Sequence, residues 1–168
     1  HLSALTQANF DADFSSLWSA AYEHAQDESL EPMLRKQLTI RTLDRWGYWL
    51  YSRGHFVEAN RKAELAKSLL GRPDEQSRGE LSVGLSCSIL AAKSNRHLGK
   101  YRESVRALDS AIVEARTLRS PDSYLLLSLY TEIAHVAIAL SSPSLLKPHL
   151  FEADRHLRSI RPKGHHQF

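Results

Sequence analysis

Glu132 and His135 stand three residues apart, the Glu-x-x-His spacing with which di-iron helical bundles supply two ligands from one helix face. Further ligand types share a face of a later segment: His149, Glu152 and His156. A di-iron centre needs a second Glu-x-x-His pair, but Arg155 follows Glu152 by three residues. A cation at that place opposes metal binding. We therefore interpret these residues as surface or groove side chains and predict no metal site.

Other reactive side chains are present without a motif that would assemble them. Cys87 is the single cysteine and lies in an apolar stretch, which predicts a buried, inert thiol. One cysteine cannot form an internal disulfide, which favours the cytoplasm or another reducing intracellular compartment. No phosphate-cradling glycine loop, nucleophile elbow or zinc cysteine cluster occurs in the sequence. We predict that the chain is not an enzyme and binds no cofactor.

The spacing of apolar residues predicts that these side chains lie on helices, and that the chain is helical throughout. Apolar residues recur at three- and four-residue spacing, whereas the alternation typical of strands is absent. Breaks at Gly, Pro and Ser divide the chain into about seven predicted helices: 15–27, 31–53, 56–70, 76–97, 100–118, 122–140 and 144–160. Ser120-Pro121 and Ser142-Pro143 each resemble an N-cap serine followed by proline at the first helical position. No apolar run reaches the roughly 20 residues needed to span a bilayer.

Two long segments are copies of one unit, and a third is a weaker copy. The turns between paired helices are Gly54-His55-Phe56, Gly99-Lys100-Tyr101 and the degraded Ser141-Ser142-Pro143. Small residues recur before each turn, at Gly47, Ala92 and Ala134, and after it, at Ala66, Ala111 and Ala153. Small residues at repeated places indicate close approach between helices of stacked hairpins.

This unit resembles the tetratricopeptide repeat, although its spacing of 45 and 42 residues exceeds the usual length of about 34. The resemblance implies an all-α, right-handed solenoid of antiparallel helical hairpins. Residues 1–168 would form one domain, with a weak repeat at 1–27, repeats at 31–70, 76–118 and 122–160, and a frayed tail at 161–168. Such domains offer a binding surface rather than a reaction centre.

The resemblance also implies that the first helix of each hairpin lines a groove. Its predicted partner-binding residues are Arg41, Arg45, Tyr48, Tyr51, Lys93, Arg96, His97 and His135. Cationic side chains recognise carboxylates, and tyrosines add contact area at low entropic cost. The expected function is a protein-interaction scaffold or adaptor that binds an acidic peptide or helix. We expect the double charge reversal Lys93→Glu/Arg96→Glu to abolish binding without unfolding the domain.

Charge is distributed unevenly along the chain, which keeps alternatives open. Residues 1–34 contain six acids and no Lys or Arg, so the remainder carries all 22 basic residues against 13 acids. This polarity is compatible with self-association into a homo-oligomer. The start, His1-Leu2-Ser3-Ala4, lacks signal-peptide features, and a further alternative is the sensor domain of a larger transcription regulator. Glu103 and Asp109 interrupt the densest basic cluster, which argues against nucleic acid as the partner.

Overall fold

The computed structural model describes residues 2–71, 76–118, 122–145 and 147–160, with side chains excepted at 2–13, 150–151 and 156–160. Within these ranges the fold is all-helical and contains no strand. The helices are α1 (Leu2–Ala25), α2 (Pro32–Ser52), α3 (Phe56–Leu69), α4 (Arg78–His97), α5 (Tyr101–Thr117), α6 (Ser123–Ala139) and α7 (Lys147–Ile160), with a short 3₁₀ helix at Pro143–Leu145. No helix in the described ranges has the length and apolar character of a membrane span.

Most of the predicted helices are present within a few residues of their expected ends. The first helix is the main exception, because α1 runs without interruption from Leu2 rather than beginning near residue 15. Ser142-Pro143 opens the 3₁₀ helix instead of capping an α-helix directly. Ser120-Pro121 and the tail 161–168 lie outside the described residues. The described start of α6 is capped by Asp122, whose carboxylate accepts hydrogen bonds from two backbone N–H groups.

The three turns that the sequence aligns have the same backbone structure. Gly54, Gly99 and Ser141 all have left-handed backbone, with φ of 81°, 73° and 50°. In each turn the following N–H donates to a carbonyl five residues earlier: His55 to Leu50, Lys100 to Asn95 and Ser142 to Ala137. This is the Schellman helix end, which satisfies carbonyls that the helix leaves unpaired. The degraded third turn is therefore a structural equivalent of the first two.

Helices pack against their sequence neighbours, and α2, α4 and α6 also contact one another in that order. We call these three the central helices. Gly47 on α2 illustrates the close approach, because a Cβ built there would lie 2.7 Å from Leu90 Cδ2. The equivalent residue of α4, Ala92, is completely buried. Repeated small side chains thus mark places where central helices meet their neighbours.

Aromatic residues attach α1 to α2. Phe14 stacks on Trp49 with ring centroids 6.3 Å apart, and Tyr22 packs against Trp46 at the same separation. Lys62 of α3 places its ammonium 3.3 Å from the centroid of a Trp46 ring. The two tryptophans fill space between α1, α2 and α3.

Candidate functional site

A cavity of about 580 Å³ lies across all three central helices. Its lining comprises Asp44, Arg45, Tyr48, Ser82, Val83, Ser86, Asp122, Tyr124 and Leu125. We call this cavity the central groove. A site bounded by three helices of a packed array is largely pre-formed, which lowers the entropic cost of binding a ligand.

The floor of the central groove is a buried carboxyl group. Asp44 is only 7% exposed, and its Oδ1 accepts hydrogen bonds from Ser86 Oγ at 2.8 Å and Cys87 Sγ at 3.6 Å. Burial raises the pKa of Asp44, while the two hydrogen bonds and the nearby Arg45 guanidinium oppose that rise. Cys87 itself is fully buried, and burial followed by the Asp44 charge raises the pKa of its thiol. The cysteine is therefore held as a thiol within the packing of α2 against α4.

The rim of the central groove combines a cation with two tyrosines. Tyr48 is half-buried and donates its hydroxyl to the Ser86 carbonyl at 3.2 Å, and burial raises its pKa. Tyr124, at the start of α6, is 76% exposed, and Arg45 is also exposed. Asp122 is also exposed on this rim, and its Oδ1 accepts hydrogen bonds from two backbone N–H groups as the N-cap of α6. Arg45 and Tyr124 add an exposed guanidinium and an exposed ring to the binding groups of this rim.

A second cluster joins α4 to α6 farther along the central helices. Glu132 is 1% exposed, and Arg96 binds it through Nε–Oε1 at 2.5 Å and Nη2–Oε2 at 3.4 Å. His135 places Nδ1 3.5 Å from Glu132 Oε2. Beside this pair, Lys93 donates to Ser128 Oγ at 2.7 Å. The cations Lys93 and Arg96 therefore hold adjacent central helices together.

His97 completes this region through aromatic packing. Its ring stacks on Phe56 with centroids 4.4 Å apart, and its Nε2 lies 2.9 Å from the Tyr51 hydroxyl and 3.2 Å from Arg96 Nη2. Because a guanidinium can only donate, the Nε2 atom accepts and the imidazole is neutral. Partial burial and the Arg96 charge lower the pKa of His97, which favours the same state.

The predicted partner-binding residues consequently fall into separate groups. Arg45 and Tyr48 line the central groove, and Arg41 lines a smaller neighbouring depression with Glu80. The remaining five surround the contacts that join the central helices: Tyr51, Lys93, Arg96, His97 and His135. The expectation that Lys93→Glu/Arg96→Glu leaves the fold intact needs correction, because the reversal would place a new carboxylate against buried Glu132.

Tyr124, Ser82 and Ser86 line the central groove but were not among the predicted site residues. Tyr124 follows Ser82 by 42 residues, the same interval that separates the second and third turns. Extending the repeat register toward the start of each central helix would have identified this tyrosine. The repeat register alone does not predict that the Tyr124 side chain is exposed.

The Glu132–His135 spacing, which raised the question of a metal centre, has other neighbours in the described part of the chain. No three His, Cys, Asp or Glu side chains converge there in an arrangement that could hold a metal ion. The Glu132 carboxylate is bound by a guanidinium, and His149 Nδ1 lies 4.0 Å from Glu152 Oε2. The side chain of His156 lies outside the described residues.

Comparisons with protein-family models, with curated proteins and with solved structures find no match to this chain. The candidate site is therefore interpreted from its own geometry.

Proposed function

We propose that the protein is an interaction module that binds an acidic segment of a partner protein in the central groove. The observation that carries this proposal is the 580 Å³ cavity across three central helices, with exposed Arg45 and Tyr124 at its rim. Arg45 supplies a fork of donors for a carboxylate, and Tyr124 supplies a large ring with a polar tip. Tyr48 and Ser86 are already hydrogen-bonded and shape the wall.

The chemistry of the rim favours a peptide over a small metabolite. The cavity is partly open, and its polar side chains come from all three central helices. An extended segment with a carboxylate near an apolar or aromatic residue matches Arg45 and Tyr124 together. The resemblance to tetratricopeptide hairpins supports the same kind of activity, since such arrays work by offering continuous surfaces.

The test uses fluorescein-labelled synthetic peptides in which Glu alternates with Phe, and matched peptides with Lys in place of Glu. We expect the acidic peptides to bind and the basic ones to bind at least tenfold more weakly. Arg45→Ser and Tyr124→Ala should each weaken the acidic peptides about tenfold. Arg102→Ser, which removes an exposed cation from α5, is the matched control and should leave affinity unchanged. Equal binding of both peptide classes, or an unaffected Arg45→Ser variant, would contradict the proposal.

A further inference from the structure

The central helices α2 and α4 each use one stripe of side chains to contact the next central helix. From α2, Asp44 accepts from Ser86 Oγ on α4 and Tyr48 donates to the Ser86 carbonyl. From α4, Lys93 donates to Ser128 on α6 and Arg96 binds Glu132. The contacts therefore recur in one direction, from α2 to α4 and from α4 to α6.

The repeat register identifies the same stripe on α6. With the turns superposed, the α6 stripe is Leu127, Thr131, His135 and Ile138, and its α4 equivalents are Leu85, Ile89, Lys93 and Arg96. Leu85 and Ile89 have no exposed surface, whereas Leu127 is 49% and Ile138 75% exposed. Thr131 and His135 are also exposed. The stripe of α4 is therefore covered by α6, whereas the equivalent stripe of α6 is exposed.

We propose that the α6 stripe binds an amphipathic helix of a partner protein, which lies beside α6 as α6 lies beside α4. Leu127 and Ile138 would receive apolar residues of that helix. His135 would donate to an acceptor on that helix, because its equivalents Tyr48 and Lys93 donate to a carbonyl and a hydroxyl on the next central helix. A carboxylate is the acceptor that we assign to the partner. The surface continues an interface already repeated within the chain, and it is distinct from the central groove of the proposed function.

Charge complementarity selects a partner helix over a second copy of this chain. If α2 of another molecule occupied the place beside α6, the register would set Arg41 and Arg45 where Ser128 and Glu132 serve as acceptors. These two cations offer no acceptor to His135. An acidic, leucine-rich helix satisfies the same positions without such a conflict.

The test measures fluorescence anisotropy of a labelled, helix-stabilised peptide added to the full chain. The peptide carries Leu on one face at i, i+4, i+7 and i+11 positions with one Glu beside that face. We expect micromolar binding, weakened at least tenfold by Leu127→Glu/Ile138→Glu and by replacing the peptide Glu with Lys. Val57→Glu/Val113→Glu is the matched control, because these valines are 51% and 58% exposed on α3 and α5. The control should bind like wild type.

Two further measurements complete the test. Thermal unfolding of both double variants should match wild type, and Ile138→Ser provides a milder substitution if the Glu variant is destabilised. Absent binding, or equal binding by the stripe variant and its control, would overturn the proposal. Sedimentation equilibrium of the protein alone would also overturn it if wild type self-associates and the stripe variant is monomeric, since the occupant would then be a second copy. Loss of stripe binding with retained Arg45-dependent peptide binding leaves the central groove proposal unaffected.

Discussion

Arg96 and Glu132 form a charged pair between two central helices, and the carboxylate is 1% exposed. The two residues are 36 positions apart and belong to successive copies of the repeat. The equivalent contact between α2 and α4 has no such pair, because Leu90, the α4 equivalent of Glu132, is apolar and fully buried. The pair therefore makes the α4–α6 contact chemically distinct from the α2–α4 contact.

Removal of Arg96 alone should be strongly destabilising. Arg96→Met leaves the Glu132 carboxylate buried without its cation, which we expect to cost about 3 kcal/mol of unfolding free energy. The double variant Arg96→Met/Glu132→Leu should recover most of this loss, since leucine already occupies the equivalent place on α4. Urea denaturation of the wild type, both single variants and the double variant measures the coupling. A cost below about 1 kcal/mol for Arg96→Met would show that the pair contributes little.

Gly47 should tolerate no side chain. In Gly47→Ala the new Cβ would lie 2.7 Å from Leu90 Cδ2, and Leu90 is fully buried and cannot move freely. We expect a loss of about 1–3 kcal/mol despite the better helix propensity of alanine. Gly79→Ala is the matched control, because the nearest described atom to its new Cβ is Ser77 Oγ, at 3.9 Å, in an exposed first turn. The control should be neutral or slightly stabilising in chemical denaturation, and equal effects at both sites would contradict the packing argument.

Substitutions in two of the equivalent turns should change the stability of the protein in opposite directions. Gly99→Ala forces an L side chain into backbone with φ of 73° and should cost roughly 1 kcal/mol. Ser141→Gly relieves the same strain at φ of 50° and should stabilise by roughly 1 kcal/mol. Thermal melts of the two variants at one pH are sufficient. A destabilised Ser141→Gly variant would mean that the serine side chain, rather than the backbone, determines this turn.

The turns and small residues could be predicted from sequence because their physical causes are local. Left-handed backbone favours glycine, so Gly54 and Gly99 identify helix ends directly. Gly47 was recognisable because only a small residue fits where helices approach this closely. The length of α1 was not predicted. No Gly or Pro interrupts residues 2–25, so the helix continues although its pattern carries little amphipathic signal.

The partners of charged residues could not be predicted in the same way. The Glu132–His135 spacing drew attention to a metal, whereas the decisive neighbour of Glu132 is Arg96 on another helix. Lys93 was predicted to bind a ligand, and its contact with Ser128 on α6 could not be read from the sequence. Which cation is satisfied internally depends on the contact between copies, and that geometry is not encoded in the spacing within one helix.

Asp44 should make the stability of the protein depend on pH. Burial raises its pKa in the folded state above the unfolded value, so the folded state retains a proton that the unfolded chain releases. The stabilising contribution of the protonated carboxyl is complete below the unfolded pKa and is lost as the pH rises through the folded pKa. Asp44→Asn keeps an oxygen that can accept from Ser86 Oγ and removes the charge. The variant should therefore exceed wild type in stability at pH 7, and the difference should narrow toward pH 4.

Urea denaturation at several pH values between 4 and 8 measures this difference for Asp44→Asn and for a control. Asp109→Asn is suitable, because Asp109 is an exposed carboxylate on α5 and lies outside the central groove. The control removes an exposed negative charge, whereas Asp44→Asn removes a buried one. The difference in unfolding free energy between the control and wild type should therefore vary less with pH. An Asp44→Asn variant that is less stable than wild type at pH 7 would mean that the ionised carboxylate is favoured in the folded state. The Arg45 charge and the Ser86 hydrogen bond would then outweigh the cost of burial.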